Sequence, residues 1–290
     1  MHSFLGAHVT ISLQSAVLEY VCILQAKHST GWPKFFALDA ILLLELTGKT
    51  IECLSLFGDS ISSLDDLRSE AERSKDNRWL HNFHVYKMLI SFWKENFMVA
   101  EEHCQLALAC PANKMWESIY QTFFGGLVAL RLHRQMGDNN DQRLKQGRDA
   151  VKRFEKWSKK SSVLFNNKLL LLQAEYSASI GEHDRAQLLY LASINAAKDH
   201  GNIHELALAY ELLGNHHCST NGVGADSNKC FRKAIVYYEQ WGAIAVAEKL
   251  MHKHNLRMDP GSSTKRTSKH PRKGDLLCQD MKCDAPCWDQ

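Results

Sequence analysis

A small residue returns at a nearly fixed interval through this chain. Ala107, Ala150, Ser193 and Ala234 stand 43, 43 and 41 residues apart. Each is followed by an apolar residue, Leu108, Val151, Ile194 or Ile235, and three positions before each stands Cys104, Gly147, Tyr190 or Phe231. A recurrence in this range marks stacked helical hairpins, because each hairpin needs a compact residue where its neighbour comes close. The expected fold class is therefore all-α, a solenoid of antiparallel helical hairpins. Such an array serves more often as a surface for holding partners than as a pocket for chemistry.

The rest of the pattern agrees with helices. Five prolines and sixteen glycines are few for 290 residues and leave long stretches uninterrupted. Apolar residues recur at three- and four-residue spacing, with no long apolar/polar alternation. A first helix is expected over Ile11–Lys27 and a second from Pro33 to the stop at Gly48. Thr50–Ser74 is looser. Asp76 caps a helix to about Lys94, and Phe97–Ala109 follows it. The hairpins are then Lys114–Met136 with Asp141–Ser158, Asn167–Ile180 with Asp184–His200, and Ile203–Thr220 with Ala225–Trp241. A last helix, Ala243–His254, is expected to close the array with a polar outer face from Lys249, His252 and Lys253. Three regions result: N-terminal helices of weak repeat register over 1–75, the repeats over 76–256, and a disordered, basic, cysteine-containing tail over 257–290.

Composition narrows the partners. Thirty-five Lys and Arg against 32 Asp and Glu give a net charge of +3, too balanced to imply a nucleic-acid or membrane partner. The most apolar run, Phe35 to Leu46, is broken by Asp39 and Glu45 and falls short of the roughly 20 residues of a membrane span. The N-terminus, MHSFLGAHVTISLQ, lacks the basic start and long apolar core of a secretory signal. Six of the nine cysteines sit singly in apolar stretches, as buried thiols of a reducing compartment do. The expected location is cytoplasmic.

Several fragments of motifs invite a chemical reading and do not sustain one. Thr47-Gly48-Lys49-Thr50 resembles the end of a phosphate-binding loop, but Leu43 stands where that loop needs glycine and the preceding residues read as helix. His204-Glu205 opens like a zinc-protease motif, yet Leu208 occupies the second histidine position. His216, His217 and Cys218 are adjacent on a helix and point about 100° apart, so they do not converge on one ion. Cys278, Cys283 and Cys287 have spacings unlike a common zinc knuckle. The short basic runs around Lys265 and Lys269 are ordinary in a tail of this composition. No catalytic residue, cofactor or metal site is expected.

The residues from Asn167 to Leu250 resemble a known family. The carrying pieces are N-K-L-L-L-L-Q-A-E-Y, G-E-H-D-R-A-Q-L-L-Y-L-A-S-I, G-N-I-H-E-L-A-L-A-Y-E-L and A-I-V-Y-Y-E-Q-W-G-A-I-A-V-A-E-K-L. They look like the tetratricopeptide-like segment of very large signalling proteins, in which a serine/threonine kinase-like domain and an AAA-type ATPase precede the helices. A GAF domain, and often a histidine kinase, follow them. The motif residues are Tyr190, His204, Glu205, Ala207, Ala209, Glu211, Tyr238, Trp241, Gly242 and Ala243. The resemblance implies packing roles for them: alanines thin a helix at a crossing, aromatics fill between layers, and Gly242 turns the backbone into the last helix. It also implies a signalling context. None of the family's catalytic domains falls within these 290 residues, so its enzymatic activities do not carry over.

Two functions follow as expectations. The first is a non-catalytic, tetratricopeptide-like scaffold for protein–protein interaction, binding along a concave face. The alternative is a linker or fragment of a multidomain signalling ATPase or protein kinase, whose adjacent catalytic domains are its partners.

Overall fold

A computed structural model of the protein describes residues 33–48, 64–74, 76–110, 115–137 and 141–256. Among the described residues every regular element is an α-helix and there is no strand. The helices are α1 Pro33–Thr47, α2 Leu64–Ser74, α3 Asn77–Trp93, α4 Phe97–Ala109, α5 Met115–Met136, α6 Asp141–Ser158, α7 Ser162–Ser179, α8 His183–Asp199, α9 Ile203–Asn221, α10 Ala225–Trp241 and α11 Ile244–Lys253. The helix expected over 11–27 and the tail after Leu256, with its three cysteines, lie outside the described residues.

Local chemistry accounts for the ends. The Asp76 carboxylate accepts the backbone N–H of Arg78 at 2.9 Å and of Trp79 at 3.3 Å, so two of the free amides that open α3 are satisfied. Gly48 takes φ +70° as α1 stops, and a β-carbon there would stand only 3.2 Å from that of Ala245. Helix α7 begins five residues before the expected Asn167. The turn into it, Lys159-Lys160-Ser161, holds no glycine or asparagine to announce a break. Phe165 in the added turn packs on Phe154 and Trp157 of α6, which holds that turn helical.

The helices pack mainly on their sequence neighbours, in the pairs α3/α4, α5/α6, α7/α8 and α9/α10. Ala150 and Ser193 lie where the two helices of one pair meet. Ala107, Ala150, Ser193 and Ala234 are all buried. A β-carbon added to Gly126 of α5 would stand 2.7 Å from Cβ of Ala150, so the α5/α6 crossing tolerates nothing larger than these two residues. At the next level the Ser193 hydroxyl donates to the Asn167 carbonyl at 2.8 Å. Tyr190, Phe154, Phe231 and Tyr238 fill the spaces between, all essentially inaccessible.

The last helix presents only part of the expected polar outer end, because two of its cations also engage another helix. Helix α11 packs on α10 and on α1, and its cations reach the end of α3. Lys249 donates to the Trp93 carbonyl, and Lys253 forms a two-pronged pair with Glu95 at 2.8 and 2.9 Å. Trp93 lies edge-on to Phe124 of α5 and to Tyr238 of α10, and also meets Trp241. The end of the array therefore seals against its beginning. Of the three expected outer residues, His252 and Lys253 are exposed and Lys249 is half-buried.

Candidate functional site

The first helix of each pair and α11 converge on one central cavity. Its apolar lining comes from Phe92, Trp93, Phe97, Leu127, Leu208, Leu212 and Val246. Into it come five charged side chains: Glu95, Arg131, Glu175, Glu211 and Lys249. An apolar recess with a few convergent polar groups is where a small-molecule site is first sought. Its free volume, about 20 Å³, is room for a single water.

Each charge there is already engaged. Glu211 accepts the Tyr238 hydroxyl at 2.7 Å. Burial raises the Glu211 carboxyl above its ordinary range despite that bond and the nearby Lys249 and Arg131. Lys249 is shifted the other way, lowered by burial against the pull of Glu95 and Glu211. Glu95 would be raised by burial, but the Lys253 hydrogen bond and the Lys249 charge outweigh it and its carboxyl is lowered. Glu95 also has φ +59°, a strained conformation for a non-glycine residue, kept where the carboxylate clamps Lys253. Arg131 lies 5.0 Å from the Phe97 ring centre, a cation–π contact.

A second layer of buried polar pairs ties α5, α7, α8 and α9 together. The Glu175 carboxylate takes an ion pair from Arg134 and the hydroxyl of Tyr190. Arg134 also donates to the Glu175 carbonyl at 2.9 Å and to Ser179 at 3.0 Å. Glu205 is held by Lys168 and Asn167 of α7, with His204 Nε2 at 3.4 Å. Burial alone would raise Glu205, but the Lys168 charge and the His204 hydrogen bond bring its carboxyl down to about 2.

The motif residues read from the sequence divide between these places. Glu211, Tyr238 and Trp241 stand at the cavity and its seal. Tyr190 and Glu205 belong to the buried pairs, and His204 lies 5.4 Å from the Trp241 ring. Ala207 and Ala209 are wholly buried on α9. Gly242 adopts φ +93°, which lets the amide of Ala243 close on the Tyr238 carbonyl at 2.9 Å. The partners Trp93, Arg131, Arg134, Lys168 and Lys249 carry no local signature, since each is defined by a residue on another helix. Elsewhere, His216 Nε2 donates to the His183 carbonyl at 3.2 Å, and the Thr47 hydroxyl donates to the Leu43 carbonyl at 2.8 Å. Among the described residues no three His, Cys, Asp or Glu side chains group as a metal site.

The arrangement joins helices: opposite charges and hydroxyls pair across layers beside a space of about 20 Å³. Comparison of the chain with protein-family models, with curated proteins and with solved structures gives no match.

Proposed function

We propose that the chain is a non-catalytic, tetratricopeptide-like helical-repeat scaffold that holds a protein partner, in a signal-transduction setting. The observation that supports this reading is the use of the central cavity: its charges engage groups of the protein itself and leave space for one water. Recognition therefore shifts from the concave face to the outer helices. Helix α8 carries Leu188 and Leu191, 68% and 42% exposed, three residues apart on one face. Polar Asp184, Asn195 and Lys198 continue the same stripe. Apolar anchors within a polar rim are the composition of a protein contact.

The test uses the recombinant full chain and the Leu188→Glu/Leu191→Glu variant as baits, with helicity and melting temperature recorded for both. The expected result is a partner retained by the native chain and released by the variant, whose fold is unchanged. A partner bound equally by both, or no partner at all, defeats the reading.

A further inference from the structure

Helix α6 turns a file of cations outward. Gly147, Ala150 and Phe154 are buried against its neighbours, while Lys145, Arg148, Lys152 and Lys156 are exposed on the opposite side. At 3.6 residues per turn these four fall within an arc of about 80° and extend about 17 Å along the helix. Among the described residues none of the four has a carboxylate within salt-bridge distance, whereas Arg143, on the flank of the same helix, is clamped by Glu101 at 2.7 and 2.8 Å. Lys159, in the following turn, is exposed as well. Asp149 and Glu155, also exposed, border the file about 20° beyond either edge.

That pattern discriminates among anionic partners. Duplex nucleic acid offers phosphates on two strands, and a single file reaches only one of them. A membrane surface is a plane of negative charge, and it would meet Asp149 and Glu155 together with the lysines. The membrane would also need an apolar anchor beside the file, and the nearest aromatic, Trp157, is engaged with Phe154 and Phe165. A helix with one acidic stripe between basic flanks complements the file and the single carboxylate on either side of it, and its three- and four-residue spacing matches that of Lys145, Arg148, Lys152 and Lys156.

We infer that the outer face of α6 is a docking surface for an acidic α-helix of a protein partner. This rests on the scaffold reading and names the chemistry of one contact, on a helix other than α8. The experiment measures fluorescence anisotropy of labelled probes with the full chain at low and physiological salt. The probes are a helical peptide with Glu in a single stripe flanked by Lys, an isomer of the same composition with the charges scattered, a duplex oligonucleotide, and anionic phosphatidylserine vesicles.

The expected result is binding of the striped peptide at least tenfold tighter than its isomer. It is weakened at least tenfold by Lys152→Glu/Lys156→Glu, with melting temperature unchanged, and is indifferent to Leu188→Glu/Leu191→Glu. Equal binding of both peptides, tighter binding of oligonucleotide or vesicles, or no binding of the striped peptide overturns the inference. If the striped peptide fails while capture through Leu188 and Leu191 persists, the α6 inference falls and the scaffold reading stands.

Discussion

Trp93, the last residue of α3, lies edge-on to Tyr238 of α10, with ring centroids 5.9 Å apart and planes at 90°. This contact joins the first complete helical pair to the last beside the central cavity, which Trp93 also lines. Trp93→Ala removes the ring from Phe124, Tyr238 and Trp241 at once. It is expected to cost about 3 kcal/mol, while Trp93→Phe costs less than half of that. Denaturant titration of both variants checks the ordering. Equal and small losses would mean that the closure contributes little to the fold.

The buried carboxylate of Glu205 makes acid sensitivity specific. Its folded value, about 2, lies below its unfolded value of 4.5. The native state thus sheds the proton more readily, and the stabilisation is complete above about pH 4.5. It is lost as the pH falls toward 2, and amounts to about 3 kcal/mol over that window. Glu205→Gln is expected to flatten this part of the stability curve. Glu205→Ala leaves Lys168 unpaired and is expected to cost about 3–5 kcal/mol at neutral pH. Urea titrations of the native chain and both variants between pH 3 and 7 measure the slopes.

Much of the chain's layout was legible because its signals are local. Asp76, Pro33, Gly48 and Gly242 mark ends through their own backbone chemistry, and the helices Asp141–Ser158 and Ala225–Trp241 fall where periodicity places them. The start of α7 was not legible: residues 162–166 read as part of the connection after Ser158, and it is the packing of Phe165 on Phe154 and Trp157 that makes this turn helical. The sealing of α11 onto α3 was hidden for another reason. Lys249 and Lys253 read as solvent-facing charges until Trp93 and Glu95 are brought beside them, and no local pattern encodes that meeting. Glu211, Tyr238 and Trp241 stood out in the sequence, but the charges opposite them, on α5 and α11, did not.

The pair His84 and His103 predicts a separate, milder acid response. Their Nδ1 atoms are 2.9 Å apart across α3 and α4, so one ring must donate and the other must be neutral to accept, and the pair cannot hold two imidazolium rings. Burial lowers each to about 4 from the usual 6.5, aided for His84 by the charges of His103, Arg68 and His81 against Glu72, and for His103 by Lys87 and Arg68. Between those values the unfolded chain binds protons that the folded one does not. Stability is therefore whole above about pH 6.5 and declines as the pH falls toward 4. His84→Gln/His103→Gln keeps a hydrogen-bonding pair without the titration. It is expected to show a shallower fall in melting temperature over that range than the native chain. Parallel falls would remove these histidines from the response.

Gly126 offers the most direct test of why small residues recur. Replacing a mid-helix glycine by alanine ordinarily stabilises by up to about 1 kcal/mol. Here the added carbon would meet Cβ of Ala150 at 2.7 Å and Cδ2 of Leu172 at 3.0 Å. Ala150 Cβ is fixed to its backbone and cannot swing aside, so the helices must separate, at a cost of about 1–3 kcal/mol. The repulsion is the larger effect, and Gly126→Ala is expected to lower the melting temperature. Adding Ala150→Gly moves the missing carbon to the facing helix and is expected to recover at least half of the loss. That recovery would tie the periodic small residue to one helix crossing, because a defect in α5 alone would persist in the double variant.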